Sequence, residues 1–303
     1  MLAKMKAEGK TWKQMESSFE GFSANALRKT FYRKAEELVV KEVPEVHKPR
    51  ILLLDVETKP LTSFVWGLWE NNVALNQIKE DWSILSWSAK WLGEDEVFYE
   101  DNRYSENLED DKELLKGIWK LIDEADILVG HNIKSFDEKR LNARFIQNGF
   151  KPPSSYRQED TMLIAKARFG FTSNKLEYLT GKLCGKKKLD HGKFPGFKMW
   201  SECMKGNIDA WKEMELYNRM DVISLEELYL VLKPWDKKGH NPNVFSESEE
   251  ISCTCGSIEF YKNGFSHTNT GKFQRYTCKK CGFETKSKEN LLSKEKRKGL
   301  TKN

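Results

Sequence analysis

No stretch of this 303-residue chain approaches the roughly 18 consecutive apolar residues that a bilayer-spanning helix needs, so no membrane association is expected. The opening MLAKMKAEGKTWKQ lacks an apolar segment ahead of a small-residue cleavage site. Secretion is therefore not expected either, and the chain is placed in a reducing cytoplasm. Cysteine is sparse at six residues, four of them beyond residue 250, which excludes a disulfide-dense scaffold. What is present, 39% hydrophobic and 32% charged residues, suits a globular protein with one sizeable core and one or two small modules.

The net charge of +5 is unevenly spread: residues 1–49 carry +3 and residues 251–303 carry +8, leaving −6 between them. Basic ends around an acidic middle fit an enzyme that holds a polyanion with its appendages and gathers cations with its core. They fit equally well lysine-rich ends that merely stay solvated.

Residues 1–43 read as a helical module, with Leu2, Met5, Trp12, Met15, Phe19, Leu27 and Phe31 at helix-like spacing, breaks at Gly9 and Gly21, and N-caps expected at Thr11 and Ser23. The last helix, SANALRKTFYRKAEE, would expose Asn25, Arg28, Lys29 and Arg33. That arrangement suits a helix-turn-helix whose final helix enters the major groove, or a small bundle docking on the core or on a partner. VPEVHKP, with Pro44 and Pro49, reads as a linker.

The core, about residues 50–236, opens with ILLLDVE, an apolar run suited to a buried strand. Further strands are expected around Ile84–Trp87, Val97–Tyr99 and in DILVG, with helices near 111–124, 137–148, 161–169, 175–184 and 208–232. Strands first, then strand and helix alternating, imply an α/β sheet sandwich.

Asp55 and Glu57 lie two apart on the first strand, so they project from one face. Asp137 follows the strand DILVG and the turn HNIKSF, at the sheet edge where open α/β sheets bind ligands, although alone it reads as a helix N-cap. Tyr217 and Asp221 are four apart on a late helix and share its face. The ordered set of D-x-E on a strand, N-x-x-x-F-D after a strand and Y-x-x-x-D on a helix resembles the DEDDy 3′→5′ exonucleases. These form an RNase H-like family that includes the proofreading domains of family B DNA polymerases.

The resemblance implies an RNase H-like mixed sheet flanked by helices, with Asp55, Glu57, Asp137 and Asp221 binding two Mg²⁺ or Mn²⁺ ions and Tyr217 positioning the attacking water. It also implies contacts from Asn132 and Phe136 to the terminal nucleotides, though Phe136 can equally pack beneath its turn. The histidine variant of the family would place His where Leu216 stands. Hard cations call for oxygen ligands, and four clustered acids without them would repel one another. With an ordinary pKa of about 10, Tyr217 is expected to orient water rather than act as a full base.

The spacing C-T-C-G at 253–256 and C-K-K-C-G at 278–282 points to one structural Zn²⁺ on Cys253, Cys255, Cys278 and Cys281, although the first knuckle has a single intervening residue. Residues 251–285 resemble the zinc ribbons of transposases and other DNA-handling proteins, followed by a basic tail, 286–303. Their Lys and Arg, with Phe273 and Tyr276 among them, would hold a nucleic-acid backbone, or the metal is a structural staple alone. Cys184 and Cys203 are expected to be ordinary buried thiols.

These readings converge on a metal-dependent exonuclease acting on single-stranded DNA or DNA 3′ ends in replication, repair or recombination. Too few residues follow Trp235 for a polymerase palm and fingers, so a DNA polymerase partner is expected on a separate chain. An RNA 3′-end exonuclease and a DNA-binding regulator with an inactive nuclease core are the alternatives.

Overall fold

The computed structural model describes residues 5, 9–19, 22–24, 26–28, 49–185, 192–245 and 250–301. The chain divides into two compact units, residues 1–47 with 245–247 and residues 48–244 with 248–303. In the first, α1 (Trp12–Glu16) starts at the expected cap: the Thr11 hydroxyl accepts from the Gln14 amide while the Gln14 side chain accepts from the Thr11 amide. The Ser23 hydroxyl likewise accepts from the Ala26 amide. Asn25, Lys29 and Arg33 of the expected third helix, and most of the linker, lie outside the described residues.

The second unit is built on β1 (Ile51–Thr58), β4 (Ile84–Trp91), β5 (Val97–Asp101), β6 (Ile127–Gly130) and β7 (Arg157–Asp160), in the order β5-β4-β1-β6-β7. Strands β4 and β5 run antiparallel to their neighbours, whereas β6 and β7 run parallel to β1. The result is a mixed sheet. Between β1 and β4 a short ribbon of β2 (Thr62–Ser63) and β3 (Ile78–Glu80) stands off it. Its loop exposes Phe64, Trp66, Leu68, Trp69 and Leu75. The loop is closed at its neck, where the Phe64 amide donates to the Gln77 carbonyl at 2.9 Å and Gln77 Nε2 donates back to the Phe64 carbonyl at 3.1 Å.

Both faces of the sheet are covered, which is why β1 reads as a nearly continuous apolar run. Its alternation still sorts the side chains. Leu52, Leu54 and Val56 join a core with α2 (Lys112–Asp123) and α3 (Asp137–Gln147) through Leu115, Ile118, Leu141 and Phe145. Ile51 and Leu53 point the other way, into Val222, Leu225 and Tyr229 of the long helix. Asp55 and Glu57 continue that second face.

Three short helices follow, α4 (Thr161–Arg168), α5 (Leu176–Leu183) and α6 (Lys198–Met204). They flank α7 (Ile208–Leu232), which Asn207 caps by accepting from the Asp209 amide. Cys203 is buried between α6 and α7, as expected of an ordinary thiol. β8 (Phe260–Thr268), β9 (Gly271–Cys278) and β10 (Glu284–Lys286) form a separate antiparallel sheet, followed by α8 (Lys294–Lys298). No helix among the described residues is long and apolar enough to cross a membrane.

Gly117 on α2 faces side chains of β4 and β5 at close range. A Cβ there would lie 2.7 Å from the Trp87 ring and 2.6 Å from the Glu100 carboxylate. Alanine is the better helix former by about 1 kcal/mol, but the rigid indole cannot retreat. Gly117→Ala is therefore expected to destabilise the fold by about 1–3 kcal/mol in urea unfolding, against the sign that helix propensity alone would give.

Candidate active site

Two elements bring the acids together. β1 carries Asp55 and Glu57 on the face that α7 crosses, and α7 presents Asp221 to them, so that one ligand oxygen from each lies within 4.8 Å of the others. The buried stripe of α7 explains how. Trp211, Met214, Val222 and Leu225 seat the helix on the sheet, Leu228 and Leu232 pack on α4 and α5, and Asn218 and Asp221 lie on the buried side where β1 turns polar.

Asp137 stands beside this trio rather than inside it. Its Oδ1 accepts from the Val56 amide at 3.2 Å, so the first residue of α3 is tied to the backbone between the two β1 acids. Burial pushes its carboxyl up to about 7, and the neighbouring Asp160 pushes in the same direction, against its own amide and that of Val56.

Asp160 organises the turn that leads there. Its carboxylate caps α4 by accepting from Met162 N and Leu163 N, and it also accepts from the amides of Asn132 at 3.1 Å and Lys134 at 3.3 Å. Asn132 adopts a φ of 74°, a left-handed conformation that Asn tolerates better than most residues. Phe136 is partly buried and packs on the core beneath the turn, with the Arg140 guanidinium 5.4 Å from its ring centre.

Tyr217, one turn before Asp221, is half-buried and meets the Trp200 ring edge-on at 6.1 Å. Leu216, where the histidine variant would differ, is 53% exposed. Two further polar residues touch the acids. Asn218 Nδ2 donates to Asp55 Oδ2 at 2.6 Å, and Trp200 Nε1 donates to Glu57 Oε2 at 3.2 Å. Sequence reasoning passed over both. Asn218 had a readable signal, a polar residue on an otherwise apolar helical stripe; Trp200 lies on a seven-residue helix with none.

The four expected cysteines converge despite the short first knuckle. Their sulfurs lie within 4.8 Å of one another, with Cys253–Cys281 at 3.5 Å and Cys255–Cys278 at 3.8 Å. A tetrahedron with Zn–S bonds of about 2.3 Å has S–S edges of about 3.8 Å, so the cluster has the dimensions of a zinc site. Gly256 and Gly282, each following a knuckle, take φ of 82° and 75°, which glycine adopts without strain. Lys233, just past α7, feels these sulfurs: burial lowers its pKa, while Glu159 and the cysteines oppose that shift. On this sheet Tyr261 and Phe265 are the exposed rings, whereas Phe273 and Tyr276 are half-buried.

The chemistry of the first cluster is that of a hard-cation site. It holds carboxylate oxygens on one face and has neither Cys nor His in the set, as Mg²⁺ or Mn²⁺ would require. Residues 87–233 match the family described as the RNase_H superfamily, and the five-stranded mixed sheet with helices on both faces is an RNase H-like fold. Among solved structures, the chain is similar to the family B DNA polymerase from the hyperthermophilic archaeon Pyrobaculum calidifontis. The identity is 13% and the TM-score 0.42, over 61% of this chain and 25% of that one. The chain thus spans about a quarter of the polymerase's length. None of the curated proteins matches the sequence.

The environment of Asp137 carries a pH signature. The folded chain holds its proton up to about pH 7, whereas the unfolded chain releases it near pH 4. The metal-free protein therefore loses stability as pH rises through that window. Asp137→Asn is expected to raise metal-free stability at pH 8 by on the order of 1–3 kcal/mol and to flatten the profile between pH 5 and 8, as read by chemical denaturation in EDTA.

Proposed function

We propose that this chain is a metal-dependent 3′→5′ exonuclease that removes nucleoside 5′-monophosphates from DNA 3′ ends. The observation that carries the reading is the convergence of Asp55, Glu57 and Asp221 within 4.8 Å, with Asp137 tethered to the strand between the first two. Asp55, Glu57, Asp137 and Asp221 would hold two Mg²⁺ or Mn²⁺ ions, which when bound acidify the attacking water and neutralise the leaving 3′ oxygen. Tyr217, on the same helical face as Asp221, orients that water through its hydroxyl. Asn132 and Phe136, on the turn leading to Asp137, contact the terminal nucleotides.

Single-stranded DNA is the favoured substrate. The exposed Phe64, Trp66 and Trp69 on the hairpin whose first strand begins five residues after Glu57 offer faces on which unpaired bases stack. The cysteine cluster holds one structural Zn²⁺, and its sheet supplies phosphate contacts from Lys262, Lys272 and Arg275 beside Tyr261 and Phe265. A DNA polymerase on a separate chain is the partner that proofreading of this kind would serve.

The test is 5′-labelled single-stranded DNA and RNA incubated with Mg²⁺, Mn²⁺ or EDTA. Stepwise shortening of the DNA from its 3′ end, lost in EDTA, is expected. Asp55→Ala and Asp221→Ala should each lower kcat by more than about 100-fold with the fold intact, and Tyr217→Phe by less. Preferred shortening of RNA would move the substrate, and turnover of either alanine variant within tenfold of the parent would remove the mechanism.

Removing residues 251–303 should raise KM far more than it lowers kcat and should flatten the salt dependence of binding. Stripping zinc with a chelator should reproduce that deletion. Binding curves at two salt concentrations, beside metal content by mass spectrometry, decide it: identical curves or zinc-free protein would reduce the segment to a bystander.

A further inference from the structure

We infer that Asn218 and the indole of Trp200 set the orientations of Asp55 and Glu57 before any cation arrives, acting as positioning residues for the metal-binding acids. This rests on the metal site proposed above.

Asn218 is fully buried on α7, amid apolar residues, where an amide lacking partners would be costly. Every polar atom of it is engaged. Nδ2 donates to Asp55 Oδ2 at 2.6 Å and reaches the Asp55 carbonyl at 3.4 Å, while Oδ1 accepts from the Ser86 hydroxyl at 3.2 Å. Ser86 sits on β4 directly opposite Glu57, so the chain Ser86–Asn218–Asp55 closes across the β1–β4 pair and the helix above it. The acceptor-only Asp55 carboxylate and carbonyl fix the sense of the amide, and the Ser86 hydroxyl, able to donate or accept, follows it. A flipped Asn218 would set its oxygen against the Asp55 carboxylate, whereas the observed sense presents its N–H groups. A bond to one carboxylate oxygen fixes the plane of the group, and hence the direction of the other oxygen.

Trp200 does the same for the second acid. Its Nε1 donates to Glu57 Oε2 at 3.2 Å, and its ring is the edge-on neighbour of Tyr217. One side chain therefore touches both an acid of the cluster and the tyrosine assigned to the water. Both donors are neutral, so they steady the anions without adding a positive charge that would compete with a cation. Outer hydrogen bonds of this kind to ligating groups are worth about 10–100-fold in metal affinity.

The experiment uses the full chain, with free Mn²⁺ measured by electron paramagnetic resonance during titration of the metal-free protein. Asn218→Leu, Ser86→Ala and Trp200→Phe are compared with the parent and with Asp55→Asn. Asn218→Leu and Trp200→Phe are expected to weaken Mn²⁺ binding about 10–100-fold, and Ser86→Ala by less. Saturating Mn²⁺ should restore turnover of Trp200→Phe, which a merely structural defect would not allow. Thermal midpoints identify any variant that does not fold, and Trp200→Phe and Ser86→Ala decide the matter should Asn218→Leu be one. Parental Mn²⁺ affinity in the folded variants, with Asp55→Asn impaired, would overturn the inference alone. Parental affinity in Asp55→Asn as well would overturn the metal site beneath it.

Discussion

Mutual repulsion among buried and half-buried acids is the constraint around which this structure is arranged. Two carboxylate charges 4.8 Å apart repel by about 3.5 kcal/mol at an effective dielectric of 20, before further screening of the half-exposed pair. Hydrogen bonds to charged groups, worth about 1.5–3 kcal/mol each, work against that repulsion. Asn218, Trp200 and the Val56 amide offset part of the cost, while the Asp137 carboxyl is pushed up chiefly by its own burial, with Asp160 adding in the same direction. A cluster that is unfavourable alone has the donor set whose repulsion a hard cation would offset.

The fold bears that cost because the acids stand on its best-packed elements. β1 is central in the sheet and pairs with β4 on one side and β6 on the other, while α7 seats its apolar stripe on the face that holds Asp55 and Glu57. Asp111, fully buried, locks a neighbouring corner: it accepts from the Ile84 amide, from Arg144 through two nitrogens and from Asn148, joining the start of β4 to α3. Small polar residues line β4 under the helix. Ser86 and Ser88 stand opposite Glu57 and Asp55, leaving room for Asn218 where larger side chains would hold α7 away.

Much of this was legible in the residues, for identifiable reasons. β1 and β6 are continuous apolar runs and the helices α2, α3, α4, α5 and α7 carry apolar residues at helical spacing, and each falls within a residue or two of its expected bounds. β7 was not foreseen because Arg157–Asp160 is polar at all four positions and earns its place by pairing with β6 alone. Helix α6 is too short for periodicity to register. The D-x-E pair and Asp221 were readable from spacing. The tie from Asp137 to Val56, and the donors Asn218 and Trp200, come from segments 81, 163 and 143 residues apart in the chain, which no local pattern encodes. The cysteine spacing held the opposite lesson. A one-residue knuckle departs from the usual ribbon, yet the left-handed Gly256 turns the chain sharply enough for all four sulfurs to meet.

Helix α7 carries Asp221 of the acidic trio and ends one residue before Lys233, whose charge feels the cysteine sulfurs. Asp221 and Lys233 are twelve residues apart, about 18 Å along the axis at 1.5 Å per residue. Lys233 is the residue that feels the sulfurs, whereas Asp221 belongs to the acidic trio. Helix α7 is held along its length by the sheet, α4, α5 and α6. A rigid rod pinned at many points transmits little from one end to the other. Packing of this kind fixes Asp221 over the strand that carries Asp55 and Glu57.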